Sequence, residues 1–379
     1  MILGIDASNI RAGGGVTHLQ KILEYAEPEI NSISQVMVWG GRIPLDQLPQ
    51  KSWLDLRNIS VLNKPLHRRL LWQQTELAKL AQKDSDLLFV PGGLYMGSFR
   101  PYVTMFQNMQ IFETKERNRE RNKEWLRLKL LQLAQSQTFQ KASGLICPSE
   151  YACNYLTQHH PQLVTQTPVQ LIFHGTESFL NENSVTCNQS TNSSQILRIL
   201  YVSTVKKYKH QWTLIDAIGL LREEGIPIEL HLVGGGDPQS LSWMRKAIQR
   251  NDPEQEFIFV HGSLSYEETV KWYSKVDMFV FPSTCETFGI SLLEAMTAGL
   301  PIASSDRGPM PEVLKDAGLY FNPESVTSIK NCLRYMIENP NLRKCLGAKA
   351  KQYSHAYSWK KCADETFAFL SSVHERNII

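Results

Sequence analysis

Short apolar runs alternate with longer stretches of helical period along nearly the whole chain, and this alternation limits the fold more than any other feature. Before residue 181 the runs are Ile2–Asp6, Val36–Trp39, Leu87–Val90, Tyr102–Phe106, Gly144–Cys147 and Val169–Phe173. After residue 195 they are Ile199–Val202, Ile228–Val233, Phe257–His261, Met278–Phe281 and Pro301–Ser304. Runs so short and so apolar read as strands buried on both faces, and strand–helix alternation builds parallel sheets covered by helices. Between the two sets lies NENSVTCNQSTNSSQ, residues 181–195, which is polar and has neither helical nor strand period. It reads as a linker.

The expected class is therefore α/β, with two Rossmann-like parallel-sheet domains facing across a cleft. Residues 1–180 form an N-terminal domain, 181–195 the linker, and 196–356 a C-terminal domain. The segment from Tyr357 to Val373 reads as one more amphipathic helix, and a terminal helix over about 357–379 is free by pattern to pack back on the first domain. A length of 379 residues, 42 % hydrophobic and 20 % charged, fits two ordinary globular domains.

Forty Lys and Arg against 37 Asp and Glu leave a net charge of +3, without the basic excess of a dedicated nucleic-acid binder. No apolar run approaches the ~18 residues of a membrane helix. The N-terminal stretch Met1-Ile2-Leu3-Gly4-Ile5-Asp6 lacks the basic flank and long apolar core of a signal peptide. The seven cysteines are scattered, with no C-x-x-C pair, which fits reduced thiols in a cytoplasmic chain. The ten histidines are dispersed and no H-E-x-x-H occurs, so no metal site is expected.

The most informative stretch runs from Pro282 to Pro301, PSTCETFGISLLEAMTAGLP. It leaves a strand, turns through a loop and enters a helix near Ser291. Unpaired N–H groups and the positive dipole end of a helix attract phosphate and sugar oxygens, and Phe288, Gly289 and Ile290 are placed to present them. Glu286 in the loop and Glu294 in the helix are carboxylates that can accept hydrogen bonds from hydroxyls. Ser291-x-x-Glu294 also fits a capping box, in which Glu294 would serve only the backbone.

From Glu286 to Pro301 the string resembles the E-x-F-G-x-x-x-L-E-A-M-A-x-G-x-P signature of retaining, family-4 (group 1) glycosyltransferases with the GT-B fold. Thr297 in place of Ala is its one departure in the fixed letters. The resemblance implies transfer of a sugar from a nucleotide-diphosphate sugar to an acceptor hydroxyl, with no metal or other cofactor. The acceptor would be a glycan or a lipid-linked molecule. In that pattern Glu286 meets the donor-sugar hydroxyls and Glu294 the ribose. Gly13-Gly14-Gly15, after the first strand, resembles the glycine-rich loop that meets the donor phosphates, with Gly14 and Gly15 at closest approach. Gly234-Gly235-Gly236-Asp237 resembles the second glycine turn of the family.

Lys209 falls where the family has a Lys facing the diphosphate, whereas Thr204 stands at the partner Arg position. Lys206 or Lys207 would have to replace that charge. Gln107 or Asn108 stands where a His is usual beside the acceptor, and an amide orients a hydroxyl but cannot take its proton. Pro91-Gly92-Gly93, Ser149-Glu150 and His174-Gly175-Thr176 also follow strands and are either cleft residues or structural turns. Lys115–Lys129 holds seven basic and three acidic residues. Read as a helix over 115–133, it carries Leu126, Leu130 and Leu133 on one stripe, and is either a solvated face or a contact for anionic lipid headgroups of the cytoplasmic membrane face or for a phosphorylated lipid-linked acceptor. Other readings compatible with the pattern are a sugar-nucleotide epimerase, a phosphorylase, or a nucleotide-sugar-binding protein without turnover.

Overall fold

The computed structural model describes residues 1–11, 13–165, 167–177 and 196–378. The linker expected at 181–195 lies outside the described residues. The chain divides into two compact units, Met1–Gly175 with Tyr357–Ile379, and Thr176–Ala356.

The first unit holds β1 (Ile2–Asp6), β2 (Gln35–Gly40), β3 (Leu54–Asn58), β4 (Leu87–Val90), β5 (Tyr102–Met105), β6 (Gly144–Cys147) and β7 (Val169–Leu171). They form one sheet in the order β3-β2-β1-β4-β5-β6-β7, and every pairing is parallel. The second unit holds β8 (Leu197–Val202), β9 (Ile228–Val233), β10 (Ile258–Gly262), β11 (Met278–Phe281), β12 (Ile302–Ser305) and β13 (Gly318–Phe321). Its sheet is likewise all parallel, ordered β10-β9-β8-β11-β12-β13. Both are doubly wound, and the strand order reverses at β1/β4 and at β8/β11. Ligands of such sheets bind beyond the carboxyl ends of the strands at these reversal points.

Several inner strands, β4, β5, β6 and β11, are buried along their whole length. That is why their sequences are unbroken apolar runs. Two strands escape such a reading. β3, Leu-Asp-Leu-Arg-Asn, is an edge strand with only half-buried side chains, so its apolar positions alternate with polar ones. β13, also at an edge, begins at a glycine and is fully buried only at its ends.

The last helix, Trp359–Ile378, belongs to the first unit, where it packs on helix Gly14–Tyr25, the turn Pro28–Asn31 and β4. Trp359, Phe367, Leu370 and Val373 are buried there. Phe369 and Val373 close over Gly144 of β6, where a Cβ would come within 3.0 Å of both.

One expectation needs correction. Residues 115–133 are not a single helix: Thr114–Asn118 and Asn122–Gln140 are separate, with Asn122 at φ 52° marking the turn between them. Arg117 is not on a solvated face but buried, donating to the Ile111 carbonyl at 2.7 Å and to Gln132 Oε1 at 3.0 Å. The longer helix buries Leu128, Gln135, Thr138 and Phe139. Leu126, Leu130 and Leu133 are 53 %, 59 % and 61 % exposed, so the apolar stripe faces solvent. No helix among the described residues is long and apolar enough to cross a membrane.

Candidate active site

In the second unit the loops leaving β8, β9 and β11 converge at the reversal point. The loop after β8 carries Thr204, Lys206, Lys207 and Lys209. Tyr201, at 1 % exposure on β8, donates its hydroxyl to the Lys209 carbonyl at 2.9 Å, fixing the end of that loop from beneath. The loop after β11 is tied to the same segment: the Thr284 N–H and hydroxyl donate to the Tyr208 carbonyl at 2.8 and 3.2 Å. These anchors bring Lys209 Nζ onto Glu286 Oε1 as an ion pair whose side chains are 11 % and 16 % exposed. The ammonium also lies 5.7 Å from the ring centre of Phe281.

The second glycine turn completes this wall. Val205 N–H donates to the Gly235 carbonyl at 2.8 Å, and Lys206 pairs with Asp237 at 3.1 Å. Gly234, at φ 131°, cannot be another residue, because a Cβ there would lie 2.0 Å from the Ser203 carbonyl oxygen. Partial burial alone would raise the Asp237 carboxyl. The Ser240 N–H, its hydroxyl and Lys206 outweigh that and hold it down to about 2. Lys206 is thus engaged by Asp237, and the Lys207 ammonium lies 5.2 Å over the Trp243 ring. The Thr204 carbonyl accepts from Gln211 Nε2 at 3.0 Å.

Helix Ile290–Thr297 starts at Gly289, whose φ of 99° few other residues adopt. Ile290 and Ser291 are first-turn positions, so their N–H groups have no helical carbonyl to meet. Phe288 is 1 % exposed, and its ring belongs to the core beneath. The capping-box alternative for Glu294 does not form. Ser291 Oγ instead donates to the Val202 carbonyl at 3.0 Å, and Glu294 accepts from the Tyr273 hydroxyl at 2.6 Å. Burial pushes the Glu294 carboxyl up to about 7, Tyr273 offsets part of the rise, and the charge of Glu177 adds to it. Thr297, the departure from the signature, donates to the Leu293 carbonyl at 2.9 Å and lies 3.0 Å from the Thr176 hydroxyl.

In the first unit, Gly13 caps helix Gly14–Tyr25 at φ 68°, which puts Gly14 and Gly15 in its first turn after β1. A Cβ on Gly15 would stand 3.3 Å from Gln107 Oε1, so the glycine loop and the residue after β5 adjoin. Gln107 Nε2 reaches Met105 Sδ at 3.4 Å, and Asn108 is half-buried beside it. Beneath them Asp6, at the end of β1, accepts from Gln73 Nε2 at 2.5 Å and from the Ser8 N–H at 2.9 Å. Burial raises its carboxyl despite those bonds.

Three dispersed residues meet here unexpectedly. His18, His174 and Cys362 are buried with possible ligand atoms all within 4.8 Å of one another. The imidazoles face each other at 3.1 Å between Nδ1 atoms, beside Trp359, and burial pulls His18 down to about 4. The pair joins the first helix, the segment after β7 and the last helix. Spacing gave no sign of it, because each residue comes from a different element. Tyr273 was missed for the same reason, since nothing local marks it as the partner of Glu294.

The family described as "Glycosyl transferases group 1" matches residues 188–353. O-antigen chain mannosyltransferase B of Escherichia coli is 29 % identical over 170 residues, which cover 44 % of this chain and 44 % of that protein. Sulfoquinovosyl transferase SQD2 of Arabidopsis thaliana is 32 % identical over 104 residues, covering 26 % and 20 %. The chain thus spans less than half the length of these curated relatives in each match. Sucrose-phosphate synthase from Thermosynechococcus elongatus has the same fold, with a TM-score of 0.76 at 17 % identity, covering 100 % of this chain and 99 % of that one. Anabaena HepE, solved in complex with UDP-glucose, superposes with a TM-score of 0.72 at 17 % identity, covering 98 % and 99 %. Residues 188–353 are thus similar to the group 1 glycosyl transferases, and the chain has the two parallel-sheet Rossmann-like domains of the GT-B fold.

Proposed function

We propose that this chain is a retaining, metal-independent glycosyltransferase of the family-4 type. It moves a sugar from a nucleotide-diphosphate sugar to an acceptor hydroxyl in glycolipid, polysaccharide or other glycoconjugate synthesis. The observation that carries the reading is the Lys209–Glu286 pair at the β8/β11 reversal point, next to the open N-terminus of helix Ile290–Thr297, inside the segment that matches the group 1 family.

In this reading Lys209 sets a fixed positive charge against the departing diphosphate, and the first-turn N–H groups after Gly289 add the helix dipole. The glycosidic C–O bond breaks as charge grows on the phosphate oxygen. The acceptor oxygen bonds to the same face of the sugar carbon, and its proton passes to that phosphate oxygen. Glu286 accepts hydrogen bonds from the donor-sugar hydroxyls once Lys209 turns to the phosphate, and Glu294 accepts from the ribose. Thr204 lines the donor side, Gly14 and Gly15 approach phosphate, and Gln107 or Asn108 orients the acceptor. Glycosyltransferases among the relatives and a structural neighbour solved with UDP-glucose support a nucleotide-sugar donor.

A cytoplasmic location with peripheral membrane contact belongs to the same proposal. Its support is helix Asn122–Gln140, where exposed Leu126, Leu130 and Leu133 run beside Lys123 and Arg127. The second reading, a nucleotide-sugar binder without turnover, draws on Thr204 and the engagement of Lys206 by Asp237. A thermal-shift screen of nucleotide sugars followed by transfer assays with and without a chelator separates them. The proposal expects a stabilising donor and chelator-resistant transfer. Binding with neither transfer nor donor hydrolysis favours the second reading, and magnesium-restored activity contradicts metal independence.

A further inference from the structure

A groove of about 400 Å³ lies on the second unit between helices Gln211–Glu223 and Pro238–Asn251, which pack side by side. Its volume is within the ~300–1,000 Å³ of small-ligand sites. Lys207, Trp212, Trp243, Lys246 and Arg250 line it, with Ala247 at the base. Apart from Lys207, a candidate for the charge missing at Thr204, none of these carries a role in the donor reading.

The two tryptophans are half-buried and meet edge to face, 5.6 Å between ring centres at 84°. Neither indole N–H has a hydrogen-bond partner among the described residues, so each remains available as a donor. Helix Pro238–Asn251 carries Arg245, Lys246 and Arg250 and no acidic residue. Arg250 is held by Asp216 across the groove, whereas Lys246 has no ion-pair partner among the described residues. Indole faces, free N–H donors and a cluster of cations in one shallow depression define the ligand they complement. It must offer an apolar face, polar edges and negative charge.

We propose that this groove binds an acidic saccharide, a pyranose unit whose C–H face stacks on indole and whose carboxylate or ester anion meets Lys246 and Lys207. The edge-to-face geometry leaves a ring face beside an indole edge rather than two parallel walls, which suits a puckered sugar better than a flat base. The inference does not depend on turnover at Lys209 and Glu286.

The test is isothermal titration of the intact protein with trigalacturonate, compared with neutral maltotriose and with oligodeoxythymidylate. Saturable trigalacturonate binding is expected, weakened about tenfold or more by Trp243→Ala and by Lys246→Glu, and about tenfold stronger than maltotriose binding. Lys246→Glu is on an exposed helix face and keeps the test valid if Trp243→Ala does not fold. That variant should leave stabilisation by nucleotide sugars unchanged, which separates this site from the donor site. No saturable binding, equal binding of the neutral sugar, or tighter binding of the oligonucleotide overturns the proposal.

Discussion

Lys209 and Glu286 are 77 residues apart in sequence and are brought together by their neighbours. Tyr201 and Thr284 hold the backbone, and the charges follow. Lys209→Ala should lower transfer by about 10²–10³ and abolish the thermal shift by donor, since it removes the fixed charge facing the leaving group. Glu286→Gln should keep the fold and lower transfer. If both variants transfer sugar within about twofold of wild type, the assigned roles are wrong. Glu294 permits a cleaner test. Burial lifts its carboxyl from 4.5 to about 7, so between those values the folded state binds the proton and the unfolded state releases it. That contribution to stability is complete below about pH 4.5 and is lost as pH rises through about 7. Glu294→Gln should flatten the decline of stability between about pH 5 and 7.5 by up to roughly 3 kcal/mol. Parallel pH profiles for the two proteins would mean that the carboxyl is not raised.

At the scale of elements, most strands were legible because a central parallel strand must be apolar on both faces. Val169–Phe173 ended earlier, at Leu171, and the edge strands β3 and β13 were invisible because half of each side-chain set stays wet. The helix expected over 115–133 failed for a different reason. Charge pattern cannot show that Arg117 turns inward to the Ile111 carbonyl, or that the chain turns at Asn122 between two helices. Its leucines were legible as a stripe, but only packing shows which way a stripe faces. Leu126→Asn with Leu130→Asn should lower co-sedimentation with anionic vesicles several-fold and leave Tm unchanged, because both side chains are exposed. Sedimentation insensitive to lipid charge removes the membrane contact from the proposal. Gly234→Ala should destabilise by roughly 2 kcal/mol or more and weaken donor binding, since the added Cβ meets the Ser203 carbonyl and displaces the loop carrying Lys209. A neutral Tm would show that the two loops are not packed as described.

At the scale of the molecule, chain order and spatial membership part company at the C-terminus. The last helix closes the first unit, with Trp359 buried against His18 and His174. Trp359→Ala should cost about 3–5 kcal/mol. Hydrogen exchange should then rise in β1, β4 and helix Gly14–Tyr25, while β8–β13 stay protected. Uniform loss of protection in both units would count against this assignment. Local pattern was enough for the α/β class, the central strands, and the loop-to-helix signature with Glu286, Gly289 and Glu294, because each depends on residues a few positions apart. The meeting of Lys209 with Glu286, the burial of Glu294 against the Tyr273 hydroxyl, the His18–His174 pair and the tryptophan groove depend on residues brought together from separate elements. Such contacts are set by packing, and no period or spacing along one chain encodes them locally.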